Sequence, residues 1–314
     1  MTVVEAPVQI DRGVKPPTWI GAGGVVDMLA HPASEEELLR CLVWARERGL
    51  PVRVLGEGAN LLVHDAGADG VAISLRRLRR VETVCEEGEV VTLAVQAGAS
   101  LQQLLIQCAR QGWAGLEGLA GVPASVGGAC FMNAGGAFGE FGDVVRWIET
   151  ADVERCELGR LEREATPFAY RHSGLEGRVV TRVGVTLRRD EPAAVRRRLK
   201  EVMARKKAAQ PLGKKSAGCA FKNPEVDGRR VSAGRLIDEA GCKGLRVGGA
   251  CVSEQHANFI VTDRFATAEN VLALMERVKE RVLARCGVTL EREIVVWERQ
   301  GVRRRASDVA VADG

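Results

Sequence analysis

Aromatic side chains make up 4% of the 314 residues, and tyrosine occurs once, at Tyr170. A surface that stacks exposed bases needs aromatics interleaved with basic residues, so the composition argues against a nucleic-acid partner. Histidine is also scarce: four residues, dispersed, with no spacing that would hold zinc, so no metal is expected. The nine cysteines are odd in number, scattered from Cys41 to Cys286 and never arranged as C-x-x-C, which argues against a disulfide framework and for small buried side chains. No run approaches the roughly 18 apolar residues that span a membrane. The N-terminus lacks the charged-then-apolar order of a secretory signal, so a cytoplasmic protein with no membrane partner is expected.

What is present is a hydrophobic content of 46%, enough over this length for a substantial core in two or three compact units. The net charge of +4 comes mostly from the stretch Arg196 to Lys207, followed by Lys214 and Lys215. A run of this kind reads first as a solvated helix face, and second as an attractor of anionic ligands. The lysine pair could meet a diphosphate, but beside a linker it reads first as solvated.

Residues 34 to 49 predict a helix, because Ser34 and Glu37 have capping-box spacing, acidic residues fill the first turn and Gly49 follows the last. A strand over Pro51 to Leu55, the turn Gly56-Glu-Gly58-Ala-Asn60 and a short run Leu61 to Val63 come next. Alternation predicts strands around Val91 to Val95 and Val179 to Leu187, with a helix from Ser100 to Gly112 after the first. Pro192 to Lys207 reads as a basic amphipathic helix, and the aperiodic segment Gln210 to Lys215 as a domain boundary. Two helices, about Ser232 to Gly241 and Thr267 to Gly287, fill the last unit, the second burying Val271, Leu274, Val278 and Val282. The fold class is α+β, a mixed sheet with helices packed on it. The tail beyond Trp297 is polar and expected to be disordered.

From Gly121 to Gly136 nearly every side chain is small. Such a stretch lets backbone N–H groups approach a diphosphate, and glycine reaches the positive φ that shapes an anion-binding concavity. A dinucleotide fingerprint of the G-x-G-x-x-G kind is missing, since Leu61 stands where the third glycine of Gly56-x-Gly58 belongs.

Seven segments, in order, resemble the UDP-N-acetylenolpyruvoylglucosamine reductases: Leu55-Gly-Glu-Gly-Ala-Asn60-Leu-Leu, Gly121 to Gly136, Tyr170-Arg-His-Ser173, Ser216 to Pro224, Ala233 to Gly241, Val252 to Ile260 and Leu290-Glu-Arg-Glu293. The likeness runs from about Thr18 to Trp297. It implies a two-lobed FAD-binding domain of the vanillyl-alcohol oxidase or p-cresol methylhydroxylase type over 18–205, with lobes 18–80 and 81–205. A smaller C-terminal α+β substrate domain over 206–298 would follow, flanked by tails at 1–17 and 299–314. The activity it implies is reduction of the enolpyruvyl group of a UDP-sugar by NADPH through non-covalent FAD, in a monomer.

The resemblance also implies site residues. Gly56, Gly58, Ala59, Asn60, Leu61, Gly121, Pro123, Ser125, Gly127, Gly128 and Asn133 would hold FAD. Arg171 would stabilise the enolate, residue 219 would donate the proton and Glu293 would assist. Tyr170, Lys222, Asn223, Gln255 and His256 would contact the sugar nucleotide. Two of these positions depart from the family: Cys219 and Ala59 stand where serine is usual. The short connection from Arg171 to Cys219, with no second tyrosine, matches the shorter family type without a tyrosine loop. The same flavin fold would also suit an oxidase or dehydrogenase of a small alcohol, or a non-catalytic FAD-binding module.

Overall fold

The computed structural model describes residues 8–299 and divides the chain into two compact units. Of the described residues, the first takes in those up to 11, 29–57 and 71–208; the second takes in 12–28, 58–70 and those from 209 on. A linear division at 205/206 therefore misses two early segments, 12–28 and 58–70, that belong with the C-terminal part.

The first unit is built on an antiparallel sheet in the order Leu158–Glu162, Val145–Asp152, Arg178–Arg189, Val90–Gln96, Val81–Glu87, with Trp113–Ala114 added to one end of Arg178–Arg189. Alternation along Arg178–Arg189 predicts one buried side, yet residues on both faces of its middle are buried, because it is central and covered twice. Its Gly184 is obligatory, since a Cβ there would lie 2.2 Å from the Trp147 ring. The strands Val52–Leu55 and Ala68–Ser74 pair in parallel, from Val52 with Val71 to Leu55 with Ser74. They belong to a sheet in the order Ile10–Val14, Val26–Ala30, Ala68–Ser74, Val52–Leu55. Ile10–Val14 is thus an ordered strand where a tail is expected.

Helices begin where the sequence places caps. Ser34 accepts from Glu37 N and opens Glu35–Glu47; Ser100 accepts from Gln103 N and opens Leu101–Gln111, which Gly112 closes at φ +72°. Pro192–Ala209 buries only Val195, so the expected amphipathic stripe is nearly absent. Polar contacts hold it instead: Arg198 pairs with Glu117 (2.8 Å) and Asp190 (2.7 Å), and Lys206 Nζ donates to Gly118 O at 3.1 Å.

The second unit holds a four-stranded antiparallel sheet in the order Ser216–Cys219, Phe259–Thr262, Ala250–Val252, Arg246–Val247. The helices Ala233–Glu239 and Ala268–Cys286 share its core, which buries Leu236, Ile237 and the predicted stripe Val271, Leu274, Val278 and Val282. Leu61–Val63 pairs in parallel with Val295–Trp297, which explains why 58–70 belongs here. Arg299, assigned to the tail from sequence, grips Asp27 with Nη1 and Nη2 of its guanidinium (3.1 and 2.5 Å). The rest of that expected tail, 300–314, lies outside the described residues. Among the described residues no helix is long and apolar enough to cross a membrane, and no three His, Cys, Asp or Glu side chains gather as metal ligands.

Candidate active site

In the first unit the glycine-rich stretch folds around one short helix, Val126–Phe131, capped by Ser125, whose Oγ accepts from Gly128 N at 3.2 Å. Val126 N and Gly127 N donate to Ala99 O and Ala97 O at 2.9 and 2.8 Å. These three N–H groups are therefore committed to the protein, and the small residues here serve close packing more than an open row of donors. A Cβ on Gly127 would come within 2.6 Å of Ala97 Cβ, and one on Gly56 within 2.9 Å of Ser125 Oγ. Gly127→Ala is expected to overpack this contact at a cost of about 1–3 kcal/mol, read as a lowered melting temperature. Gly121 adopts φ +76°, and Pro123 follows it in a half-buried turn.

Asn133, expected to meet the cofactor, is a brace. Its buried side chain donates to Glu140 Oε2 (2.7 Å) and Ala169 O (2.9 Å) and accepts from Gly142 N (2.9 Å), in a left-handed backbone at φ +42°. Those bonds occupy the amide, leaving a ligand mainly its backbone.

The Tyr170–Ser173 turn is moored to the same stretch. Ser173 Oγ donates to Phe131 O at 2.6 Å, and Arg171 Nη1 donates to Gly135 O at 2.9 Å. Arg171 has φ +56°, unusual for a side chain of its size, and its guanidinium lies 5.1 Å from the Tyr170 ring centre. Strain of this kind persists where the surroundings fix a side chain for a purpose. Lys206, not singled out from sequence, is nearby: burial and the Arg171 charge bring its ammonium down to about 8.

In the second unit, Cys219 ends the strand Ser216–Cys219 opposite Phe259. The chain then runs beside the C-terminal segment. Ala220 O accepts from Glu293 N at 2.9 Å and Lys222 N donates to Glu291 O at 2.9 Å, so Cys219 and Glu293 are brought close by backbone pairing. Asn60 joins them, its Nδ2 donating to Glu293 O at 3.1 Å and its carbonyl accepting from Val295 N. Buried Leu61 opens the strand that extends this pairing, and Gly58 takes φ +69° where a Cβ would lie 2.1 Å from Pro17 O. Ala59 beside it is half-buried.

Of the residues assigned to the sugar nucleotide, Lys222 pairs with Glu291 at 2.5 Å and Asn223 Oδ1 accepts from Ala233 N at 2.9 Å. Gln255 and His256 occupy the turn between Ala250–Val252 and Phe259–Thr262, where Ser253 Oγ accepts from both backbone N–H groups. Burial, with a smaller push from the Lys243 charge, holds the His256 imidazole below its ordinary value. Below about pH 6.5 the unfolded chain takes up a proton that the folded one resists, so stability should fall as pH drops from there. Melting curves from about pH 8 to 5 should show that loss diminished in His256→Gln.

Sequence reasoning missed Asn258. It sits inside the quoted Val252 to Ile260 segment, 2% exposed, with Oδ1 accepting from Phe221 N (2.9 Å) and Nδ2 donating to Phe221 O (2.8 Å). An asparagine in the turn just before the apolar strand Phe259–Thr262 was the available signal.

Comparison with known proteins matches these parts. The family described as UDP-N-acetylenolpyruvoylglucosamine reductase, C-terminal domain, covers residues 210–297, and the FAD binding domain covers 26–158. The UDP-N-acetylenolpyruvoylglucosamine reductase of Moorella thermoacetica is 45% identical over 285 residues, 89% of each chain. That of Heliobacterium modesticaldum is 43% identical over 284 residues, 89% of this chain and 87% of its own. The crystal structure of the Thermus caldophilus reductase superimposes with a TM-score of 0.77 at 41% identity, covering 93% of this chain and 99% of that one. With both parts matched and relatives aligned over nearly their whole length, the chain belongs to the UDP-N-acetylenolpyruvoylglucosamine reductases.

Proposed function

We propose that this protein reduces the enolpyruvyl group of UDP-N-acetylenolpyruvoylglucosamine to give UDP-N-acetylmuramate, a peptidoglycan precursor, with NADPH as electron source and FAD as bound relay. The observation that carries the reading is the pairing that draws Cys219, Glu293 and Asn60 together: Glu293 N on Ala220 O, and Asn60 Nδ2 on Glu293 O. An acid beside a carboxylate is what protonation of an enolate needs.

Gly56 and Gly58 keep their turn tight, each standing where a Cβ would collide with Ser125 Oγ or Pro17 O, and the match to an FAD binding domain over 26–158 supports a bound flavin. Gly56, Gly58, Ala59, Asn60, Leu61, Gly121, Pro123, Ser125, Gly127, Gly128 and the Asn133 backbone would hold it. When bound, FAD supplies a two-electron relay that accepts hydride from NADPH and delivers it to the methylene carbon of the enolpyruvyl group.

The protein's own contribution is charge and a proton. Arg171, fixed by Gly135 O, supplies the cation for the substrate carboxylate as enolate character develops. The Cys219 thiol gives its proton to the α carbon, and Glu293 steadies that transfer. Tyr170, Lys222, Asn223, Gln255 and His256 would position the sugar nucleotide. We place the enzyme in the cytoplasm as a monomer, without nucleic-acid or membrane partners, where NADPH and UDP-sugars are supplied.

Stopped-flow spectroscopy tests the reading. NADPH should bleach the bound flavin, and UDP-N-acetylenolpyruvoylglucosamine should restore its colour under nitrogen. Reduced flavin that ignores this substrate but reoxidises in air would favour an oxidase; flavin that NADPH never bleaches would favour a binding module.

A further inference from the structure

A concave pocket of ≈ 190 Å³ in the second unit is walled by Lys214, Lys215, Arg246, Cys251, Thr262 and Asp263. It lies at the opposite end of the sheet from Cys219. Cys219 faces Phe259, whereas Lys215 O accepts from Thr262 N and Ala250 pairs with Thr262, three residues or about 10 Å further along the strand.

Charge at this end is unbalanced. Asp263 answers Arg246 at 3.3 Å and also accepts from Phe265 N through its other oxygen at 2.8 Å. Lys214 and Lys215 form no ion pair among the described residues, so three cations meet one carboxylate. The Lys215 stem lies against the backbone of Gly21, where a Cβ would come within 2.8 Å of Cδ. That contact limits where its ammonium can go. The lysine pair, read from sequence as solvated, is exposed and also lines this pocket.

We propose that this pocket binds a phosphate or diphosphate group, as an anion site separate from the reductase chemistry. Two unneutralised ammonium groups and a guanidinium match the charge and the multiple acceptors of a phosphate. The volume suits such a group and is smaller than the roughly 300 Å³ at which whole-ligand pockets begin. The anion is therefore either free or the end of a larger molecule whose remainder stays in solvent. The proposal does not depend on the identity of the reduced substrate.

Cys251 in the wall reports occupancy. The full-length protein is treated with N-ethylmaleimide, and modification of the Cys251 and Cys85 peptides is followed by mass spectrometry, with sodium chloride as the ionic-strength control. Inorganic phosphate or diphosphate should slow modification of Cys251 about fivefold or more and leave Cys85 unaffected. Lys214→Gln/Arg246→Gln should lose that protection while its melting temperature and circular-dichroism spectrum stay those of the wild type, which shows the fold is intact. Protection by inorganic anions assigns a free ligand; protection by a UDP-sugar alone assigns the phosphate end of a larger one. The proposal is overturned if neither protects Cys251, if chloride protects equally, or if the double variant is protected like the wild type.

Discussion

Cys219→Ala should lower product formation by about 10²–10⁴-fold while NADPH still reduces the flavin at the wild-type rate, because general acid catalysis contributes on that scale. The two half-reactions separate the possibilities. A merely structural cysteine would, on loss of one sulfur, change both rates slightly through packing; a proton donor affects only the second. Cys219→Ser should retain turnover, since a hydroxyl occupies the same position and carries a proton, although an alcohol is a weaker acid than a thiol, whose ordinary value is near 8.5. The thiol also makes the enzyme more vulnerable. A half-exposed cysteine at a proton-delivery position invites alkylation and oxidation, so N-ethylmaleimide or peroxide should inactivate the wild type and spare Cys219→Ser. If alanine turns over like the wild type, the proton comes from elsewhere and Glu293 becomes the first group to replace.

The features legible in the sequence were those with local causes. Ser34, Ser100, Ser232 and Thr267 each cap a helix by accepting from the N–H three residues on, and Gly112 and Gly287 end two helices in the left-handed region. These interactions span one turn, so a short window of residues reveals them. The missed features have distant causes. Leu61–Val63 belongs to the second unit because it pairs with Val295–Trp297, and no local pattern announces a partner so far along the chain. Ile10–Val14 similarly reads as tail until its neighbour Val26–Ala30 is known. The basic face of Pro192–Ala209 gives no hint that Arg198 and Lys206 reach Glu117 and Gly118 O. At the site, motif order singled out Arg171, Cys219 and Glu293, and backbone pairing brings the segments of the last two side by side. It could not tell a ligand from a brace: Asn133 has a ligand's residue type, but its amide is spent on Glu140, Ala169 and Gly142.

Asn258→Ala should be the costliest single truncation in the second unit. It leaves Phe221 N and Phe221 O, both buried, without partners, and each orphaned group costs about 1–3 kcal/mol. A loss of about 3–5 kcal/mol would lower the melting temperature by about 10 °C in a protein of this size. Phe221 lies two residues beyond Cys219, so product formation should fall as well, with flavin reduction by NADPH preserved. Asn258→Asp separates the two bonds. Its carboxylate can still accept from Phe221 N, but the second oxygen faces Phe221 O and repels it unless protonated. The folded state then holds that proton more tightly than the unfolded chain, raising the carboxyl above its ordinary value near 3.9. Stability is consequently fullest in acid and lost as pH rises past that value, so the gap to the wild type should widen from about pH 4 to 7. A gap that stays constant over this range would mean that the Phe221 carbonyl finds another donor, and that the acceptor half of Asn258 alone holds the strand.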